Sequence, residues 1–418
     1  MEEIKPKILK GFRDFLPQQM AIRQKVFSIV KNVFESYGFD AIETPSLEYA
    51  DILLGKYGEE ADKLIYRFKD QGNRDVALRY DLTVPLSRVI AQYDNQLIKP
   101  FKRYQIQPVW RADKPQKGRY REFTQCDVDI VGSNSPLADA EIIAIIYDIL
   151  KEIGFEKFTI RTNSRQTLFS IMESAGVSQE KILPVIRSID KLDKISREEV
   201  EKELAEKNIE PEIIKKIFSS IKKAEPDPFL KNVLSLSKKL GVSENFLKFD
   251  PTLARGLDYY TGPIYETMVE KPKIGSITGG GRYDKLIGMF TGKDIPACGT
   301  TIGIDRIIDV VSELNLWPED SSSKTKILIT LFDKSFLDQA IEISQTLRTE
   351  DINNEIYLNL GDRLEKQLKY ADKKGIPFVI IFGPKEIQKN TIILKNLKTR
   401  SQKEIQISNF IKVIKAII

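Results

Sequence analysis

A chain of 418 residues, 41% hydrophobic and 30% charged, is long enough for two or three domains, each burying its own core. That balance excludes a disordered chain, and no apolar run approaches the roughly 18 residues of a membrane span. Histidine is absent altogether, which excludes every His-dependent triad, general base or metal ligand. Cys126 and Cys298 cannot make a four-ligand N/S zinc site, so no zinc is expected, and they fit a reducing compartment. Chemistry here must rest on Arg, Lys, carboxylates, Tyr and backbone amides, and a net charge of +5 hints weakly at a polyanionic partner. The opening MEEIKPKILKGFRDFLP has no apolar signal core, so the expectation is a cytoplasmic protein with no membrane partner.

In chain order, residues 18–38 place apolar residues at helical spacing and predict a helix closed by Gly38. FDAIETPSLEYADIL then predicts a short strand, a break at Pro45 and a polar connector. VALRYDLTVPLSRVIAQY centres on a turn at Asp81–Pro85. YQIQPVW and EFTQCDVDIVG alternate on either side of RADKPQKGRYR, which predicts a hairpin with a basic loop. Residues 136–153 predict a helix, and charge-laced helical patterns from 176 to about 245 predict a solvated helical insertion. Glycine-rich strand patterns return after 250. The run WPEDSSSKTK, residues 317–326, is a polar linker, and alternating strand and helix patterns beyond it predict a small doubly wound α/β domain.

Four segments carry chemistry. In the hairpin loop, Arg111, Lys114, Lys117, Arg119 and Arg121, with Arg103 just upstream, stand against Asp113 alone. Guanidinium forks match phosphate oxygens two at a time, although a solvated basic turn reads the same way. RGLDYY, residues 255–260, sets a cation, a carboxylate and two phenols side by side, too polar for plain core. GGGRYD, residues 279–284, predicts flexible backbone that lets the main chain approach a ligand. GIDR, residues 303–306, puts Arg306 where a strand gives way to a helix N-terminus, a favourable place for anions.

YGFDAIETPSLE, FKRYQIQPVWRADKPQKGRYREFTQCDVDIVG and ACGTTIGIDR resemble, in that order, motifs 1, 2 and 3 of class II aminoacyl-tRNA synthetases. KGFRDFLP, LRYDLTVPLSRV, DKLDKI, RGLDYYTGPIYE and GGGRYDKLIGMF resemble the segments peculiar to the histidyl-tRNA synthetase family. The resemblance covers essentially the whole chain. It implies an α+β fold: an antiparallel-sheet catalytic domain in two parts, 1–175 and 246–318, interrupted by a helical insertion, 176–245. An α/β anticodon-binding domain, 326–418, would follow.

The same resemblance implies ATP-dependent ligation of L-histidine to tRNA(His) through a histidyl adenylate, with Mg2+ bound with ATP, in a homodimer. Arg111 and Arg255 would be catalytic at the α-phosphate, Phe123 would stack on adenine, and Arg119 and Arg306 would hold the outer phosphates. Asp81, Thr83, Gln125 and Asp129 would clasp the ammonium and imidazole of histidine, with Tyr259, Tyr260 and Tyr283 completing the pocket. Lys114, Gln116 and Lys117 would meet the acceptor end of the tRNA. Two departures from the family are Ala112, often His, and Asp81 and Asp129, often Glu. The alternatives are a non-catalytic regulatory paralogue of the ATP phosphoribosyltransferase regulatory-subunit type, a sister synthetase for threonine, proline or glycine, and a decayed scaffold. Retention of Arg111, Arg255 and Arg306, together with RGLDYYTG, argues for the ligase.

Overall fold

The computed structural model describes residues 4–54, 62–116, 118–255, 259–317 and 323–417. Two compact units emerge: Met1–Phe15 with Arg23–Leu316, and Leu16–Ile22 with Trp317–Ile418. In the first, the strands in chain order are β1 (Asp40–Ala41), β2 (Leu47–Tyr49), β3 (Arg67–Lys69), β4 (Asp75–Leu78), β5 (Phe101–Trp110) and β6 (Glu122–Val131). They continue as β7 (Phe158–Ser164), β8 (Leu247–Phe249), β9 (Pro263–Val269), β10 (Ser276–Arg282) and β11 (Ala297–Gly303).

Eight of these strands form one sheet in the order β1-β5-β6-β11-β10-β9-β7-β8. Only the two edge pairs, β1 with β5 and β7 with β8, are parallel; every inner pair is antiparallel. This is the antiparallel-rich α+β fold expected of the sequence. The predicted hairpin is β5–β6, in unbroken register from Phe101↔Val131 to Trp110↔Glu122. Along β6 the side chains alternate between faces. Cys126, Val128 and Ile130 are buried in the core, while Phe123, Gln125, Asp127 and Asp129 line a cleft on the other face.

The core face is covered by the helix Pro136–Ile153, whose buried positions run almost all round its girth. Its ends are written in the sequence: Ser135 accepts the Leu137 amide, Pro136 takes a first-turn position, and Gly154 closes it at φ +101°. The helix Pro17–Ser36 likewise ends at a left-handed Gly38.

Several sequence expectations are corrected. The polar connector after Pro45 is β2 and a one-turn helix, Ala50–Leu53, and β2, β4 and β3 form a separate small sheet. The turn at Asp81–Pro85 already belongs to a helix, Thr83–Tyr93, with Pro85 in its first turn where a missing N–H leaves no intrahelical bond unmade. GGGRYD is not flexible: its glycines lie in β10, a central strand. An added Cβ on Gly280 would fall 2.6 Å from the Tyr265 ring, so the glycines permit close strand packing.

The helical region starts at Arg165, earlier than the charge pattern suggested, and has a hydrophobic core that also takes in Leu253, Ala254 and Ile264 of the main body. Leu168, Met172, Ile182, Ile186, Val200, Leu204 and Ile217 cluster there, so the insertion is more than a solvated face. Its last helix, Pro228–Lys239, packs on Pro136–Ile153 of the main body.

The second unit holds β12 (Ile327–Ile329), β13 (Asn354–Ile356), β14 (Phe378–Ile381), β15 (Thr391–Asn396) and β16 (Gln402–Gln406) in the order β13-β12-β14-β15-β16. Alternation in β12 and β14 sends Ile327, Ile329 and Ile380 to one core and Leu328, Val379 and Ile381 to another. Both sheet faces are therefore covered, as predicted for an α/β domain. The sheet is mixed instead of purely doubly wound: β13-β12-β14 are parallel, while β14-β15-β16 are antiparallel.

Candidate active site

A cleft of about 480 Å³ opens on the free face of β6, β10 and β11, within the range of small-ligand sites. Arg111, Arg119, Arg255, Arg306 and Phe123 line it, as do Asp81, Thr83, Gln125, Asp129, Tyr259, Tyr260 and Tyr283. Twelve residues singled out from five separate stretches of sequence thus share one cavity. Lys114 and Gln116 are exposed on the hairpin loop outside this lining, and Lys117 lies outside the described residues.

One end is cationic. Arg111 follows β5 and is aimed by its Nε, which donates to the Tyr80 carbonyl at 3.1 Å. Its guanidinium lies over the rings of Tyr80 and Phe123, with centroids at 4.2 and 5.1 Å. Arg306 sits in the first turn of the helix Ile304–Glu313 and donates to the carbonyls of Gly118 (3.1 Å) and Ser276 (2.6 Å). Among the described residues no carboxylate pairs with it; burial, then the repulsion of Arg255, Arg119 and Arg111, lowers its pKa. Mutual repulsion among arginines that line one cleft is what a polyanion would relieve. Arg119 is half exposed, with Asp113 at 3.8 Å. Arg255, also half exposed, is held by Glu266 at 2.6 Å.

The other end is anionic and buried. Asp81 Oδ1 accepts the Val84 amide at 3.1 Å, fixing the carboxylate at the start of the helix Thr83–Tyr93. Asp129 lies between Arg103, at 2.7 Å, and the Tyr283 hydroxyl, which donates to it. Thr301 donates to Asp127 at 2.6 Å and accepts from the Gln125 amide at 3.0 Å. Burial raises both the Asp127 and Asp129 carboxyls against the pull of Arg103. Tyr259 and Tyr260 pack ring to ring, centroids 4.2 Å apart. Burial pushes the Tyr259 phenol up to about 12 and that of Tyr260 well up, so both stay neutral at physiological pH.

Arg103 needs correcting: it is fully buried and belongs to the Asp129 pair, not to the basic loop. Arg121 is likewise structural, donating to the carbonyls of Asp113 and Lys10. Three contributors escaped the sequence reading. Asp127 shares a face of β6 with Gln125 and Asp129, a period of two that was there to be read. Asp305 holds Arg13 (2.6 Å) and Arg23 (2.7 Å) and accepts the Thr124 amide (3.1 Å), which braces the strand beside Phe123. Glu266, the partner of Arg255, had no local signal.

Residues 11–307 match the histidyl-tRNA synthetase family, and residues 324–417 match the anticodon-binding domain family. The histidine–tRNA ligase of Christiangramia forsetii is 40% identical over 95% of this chain and 96% of that protein. That of Bacteroides fragilis is 42% identical over the same shares. The crystal structure of histidyl-tRNA synthetase from Nostoc sp. PCC 7120 superposes with a TM-score of 0.88, at 30% identity and with both chains covered completely. A cleft with four arginines at one end and buried carboxylates at the other, on this sheet and with these full-length relatives, places the chain in the histidyl-tRNA synthetase family.

Proposed function

We propose that this chain joins L-histidine to tRNA(His) in two steps, first forming histidyl adenylate from histidine and ATP. The observation that carries this reading is the polarity of the cleft: a repelling arginine cluster meets a buried carboxylate and phenol pocket within one cavity. In activation, the histidine carboxylate attacks the α-phosphorus and pyrophosphate leaves. The nucleophile is already ionised at neutral pH, so no histidine base is needed. What the step requires is alignment and neutralisation of charge growing on the α-phosphoryl oxygens. Arg111 and Arg255 supply that neutralisation, Arg119 and Arg306 hold the outer phosphates, and the Phe123 ring takes the adenine. Mg2+ belongs to the substrate, carried on the outer phosphates of ATP.

Asp81, Thr83 and Gln125 clasp the ammonium of histidine. The buried Gln125 Oε1 has no hydrogen-bond partner among the described residues, which leaves an acceptor for that ammonium. Asp129 and Tyr260 face the two ring nitrogens, with Tyr259 and Tyr283 closing the pocket. A site built from paired donors and acceptors rejects side chains that cannot satisfy them. In the second step the terminal ribose hydroxyl of the tRNA attacks the adenylate carbonyl, an adenylate phosphate oxygen takes its proton, and AMP leaves.

The division of labour follows the sequence boundaries: catalysis in 1–175 and 246–318, an insertion at 176–245, and anticodon reading in 326–418. Residues 383–418 carry eight Lys or Arg against two Glu, a net of +6, which suits a polyanion. Lys114, Gln116 and Lys117 meet the acceptor end, and the enzyme works as a cytoplasmic homodimer. ATP–pyrophosphate exchange with each of the twenty amino acids tests the reading. Exchange with histidine alone is expected; exchange with none would favour the regulatory paralogue, and exchange with another amino acid would overturn the pocket assignment.

A further inference from the structure

DKLDKI, residues 190–195, has no part in the proposed chemistry, yet the fold ties it to Arg255. Asp190–Asp193 forms a single 3-10 turn of the insertion. The Asp193 carboxylate takes both terminal nitrogens of Arg161, at 2.6 and 3.0 Å. The third donor of that guanidinium, Nε, goes to Asp250 at 2.8 Å. Arg161 lies on β7 directly opposite Glu266 on β9, so the two side chains share a face within reach of each other. Glu266, in turn, is the carboxylate that holds Arg255.

Two guanidiniums therefore stand beside one buried carboxylate, and only one pairs with it. The donor fork of Arg161 is instead taken by Asp193 and Asp250. After burial itself, the strongest influences on Glu266 are Arg255 and Arg161, opposed by Asp193 and Asp190. The hydrophobic core of the insertion also packs against Leu253 and Ala254, immediately before Arg255, and against Tyr260 after it.

We propose that Asp193 is a positioning residue for Arg255: by engaging Arg161 it leaves Glu266 to Arg255, so the insertion sets the pose of the arginine that faces the α-phosphate. This rests on the reading of Arg255 as catalytic. Without the Asp193 charge, Arg161 swings across the strand pair, takes Glu266, and releases Arg255.

The test uses full-length Asp193→Asn, Arg161→Met and the double variant. Histidine-dependent pyrophosphate exchange gives kcat and KM separately. The rate at which phenylglyoxal modifies Arg255, followed by peptide mass spectrometry, reports its pairing without reference to activity. Asp193→Asn should lower kcat about tenfold, a typical coupling for residues within one charge network. The KM for histidine should stay within about twofold on the same grounds, and Arg255 should be modified severalfold faster. The double variant should regain most of the lost kcat and protect Arg255 again, because the competitor for Glu266 is gone. A merely weakened fold cannot give that rescue, since Arg161→Met removes a further ion pair. Wild-type kcat and wild-type modification in Asp193→Asn, or a double variant worse than the single, would overturn the proposal. If the unaltered chain exchanges with no amino acid, the functional reading fails, while the modification rates still decide whether Asp193 governs Arg255.

Discussion

The two ends of the cleft are held in place by opposite means. At the cationic end, Arg119 and Arg255 are half exposed and, among the described residues, each pairs with one carboxylate, while Arg306 and Arg111 are aimed by backbone carbonyls. At the anionic end, Asp81, Asp127 and Asp129 are buried, and the strands approach so closely that glycine is required between them. A long arginine can adjust to a phosphate that arrives with its own hydration and metal. A pocket that measures an imidazole, as proposed for the anionic end, could not shift by an ångström without losing its hydrogen bonds. On the proposed assignment, the difference teaches that charge would serve the nucleotide end, whereas selectivity at the amino-acid end would be stored in packing.

The largest effect should come from removing a charge at the cationic end. Arg255→Ala should slow histidine-dependent pyrophosphate exchange by about 10²–10³-fold, comparable to deleting an oxyanion-hole donor. The loss should appear in kcat, because the guanidinium neutralises charge that exists only in the transition state. Near-normal exchange would remove Arg255 from the mechanism. The matching change at the anionic end removes no polar group at all. In Gly299→Ala the new Cβ falls inside the van der Waals shell of Asp129 Oδ1 and 2.6 Å from the Val128 carbonyl. Overpacking of this kind costs about 1–3 kcal/mol. It should raise the histidine KM by roughly tenfold or more as Asp129 is displaced, with the KM for ATP little changed. Equal damage to both KM values would mean that the two ends are not separable.

The sequence was most legible where chemistry and motif coincide. Arg111, Arg255 and Arg306 come from three distant stretches, and the antiparallel strands bring all three to one cleft. Alternation was enough to find β5 and β6, since each has one apolar and one polar face. The failures have physical causes. β2 and β3 are three residues each and mostly exposed, too short to show a period. β16 presents only Ile405 to the core, so its sequence QKEIQ reads as loop. The roles of Arg103 and Glu266 depend on pairing across strands, Arg103 opposite Asp129 and Glu266 opposite Arg161. Register of that kind is a tertiary fact that no local pattern carries. GGGRYD misled for the same reason: glycine signals freedom in a loop but close approach in a central strand.

The smallest effect, and the one that sharpens the comparison most, is a pH dependence confined to the buried end. Burial raises the Asp127 carboxyl from 3.8 to about 7, with Arg103 pulling it down and Asp129 pushing it up. Its folded value exceeds its unfolded one, so the fold holds a proton that the unfolded chain releases. The associated stability is complete below about pH 4 and is lost as pH rises through about 7. Asp139, raised to about 6 by burial, and Glu266, raised by burial, act in the same direction. Glu203, held down to about 2 by Lys191 and Lys207, acts oppositely but only in stronger acid. The melting temperature of the unliganded chain should therefore rise between pH 8 and pH 5. Asp127→Asn, which cannot titrate, should flatten part of that slope. Histidine should work the other way, because the proposed pocket offers its ring the Asp129 carboxylate, which burial inclines to hold a proton: the stabilisation it confers should shrink as the pH falls over the same interval. ATP, whose proposed contacts are arginines and the Phe123 ring and include no carboxylate, should stabilise the chain almost equally at pH 6 and pH 8. A histidine shift that does not depend on pH would mean that the carboxylates are ionised before the ligand arrives, and that packing alone, without proton release, prepares the pocket.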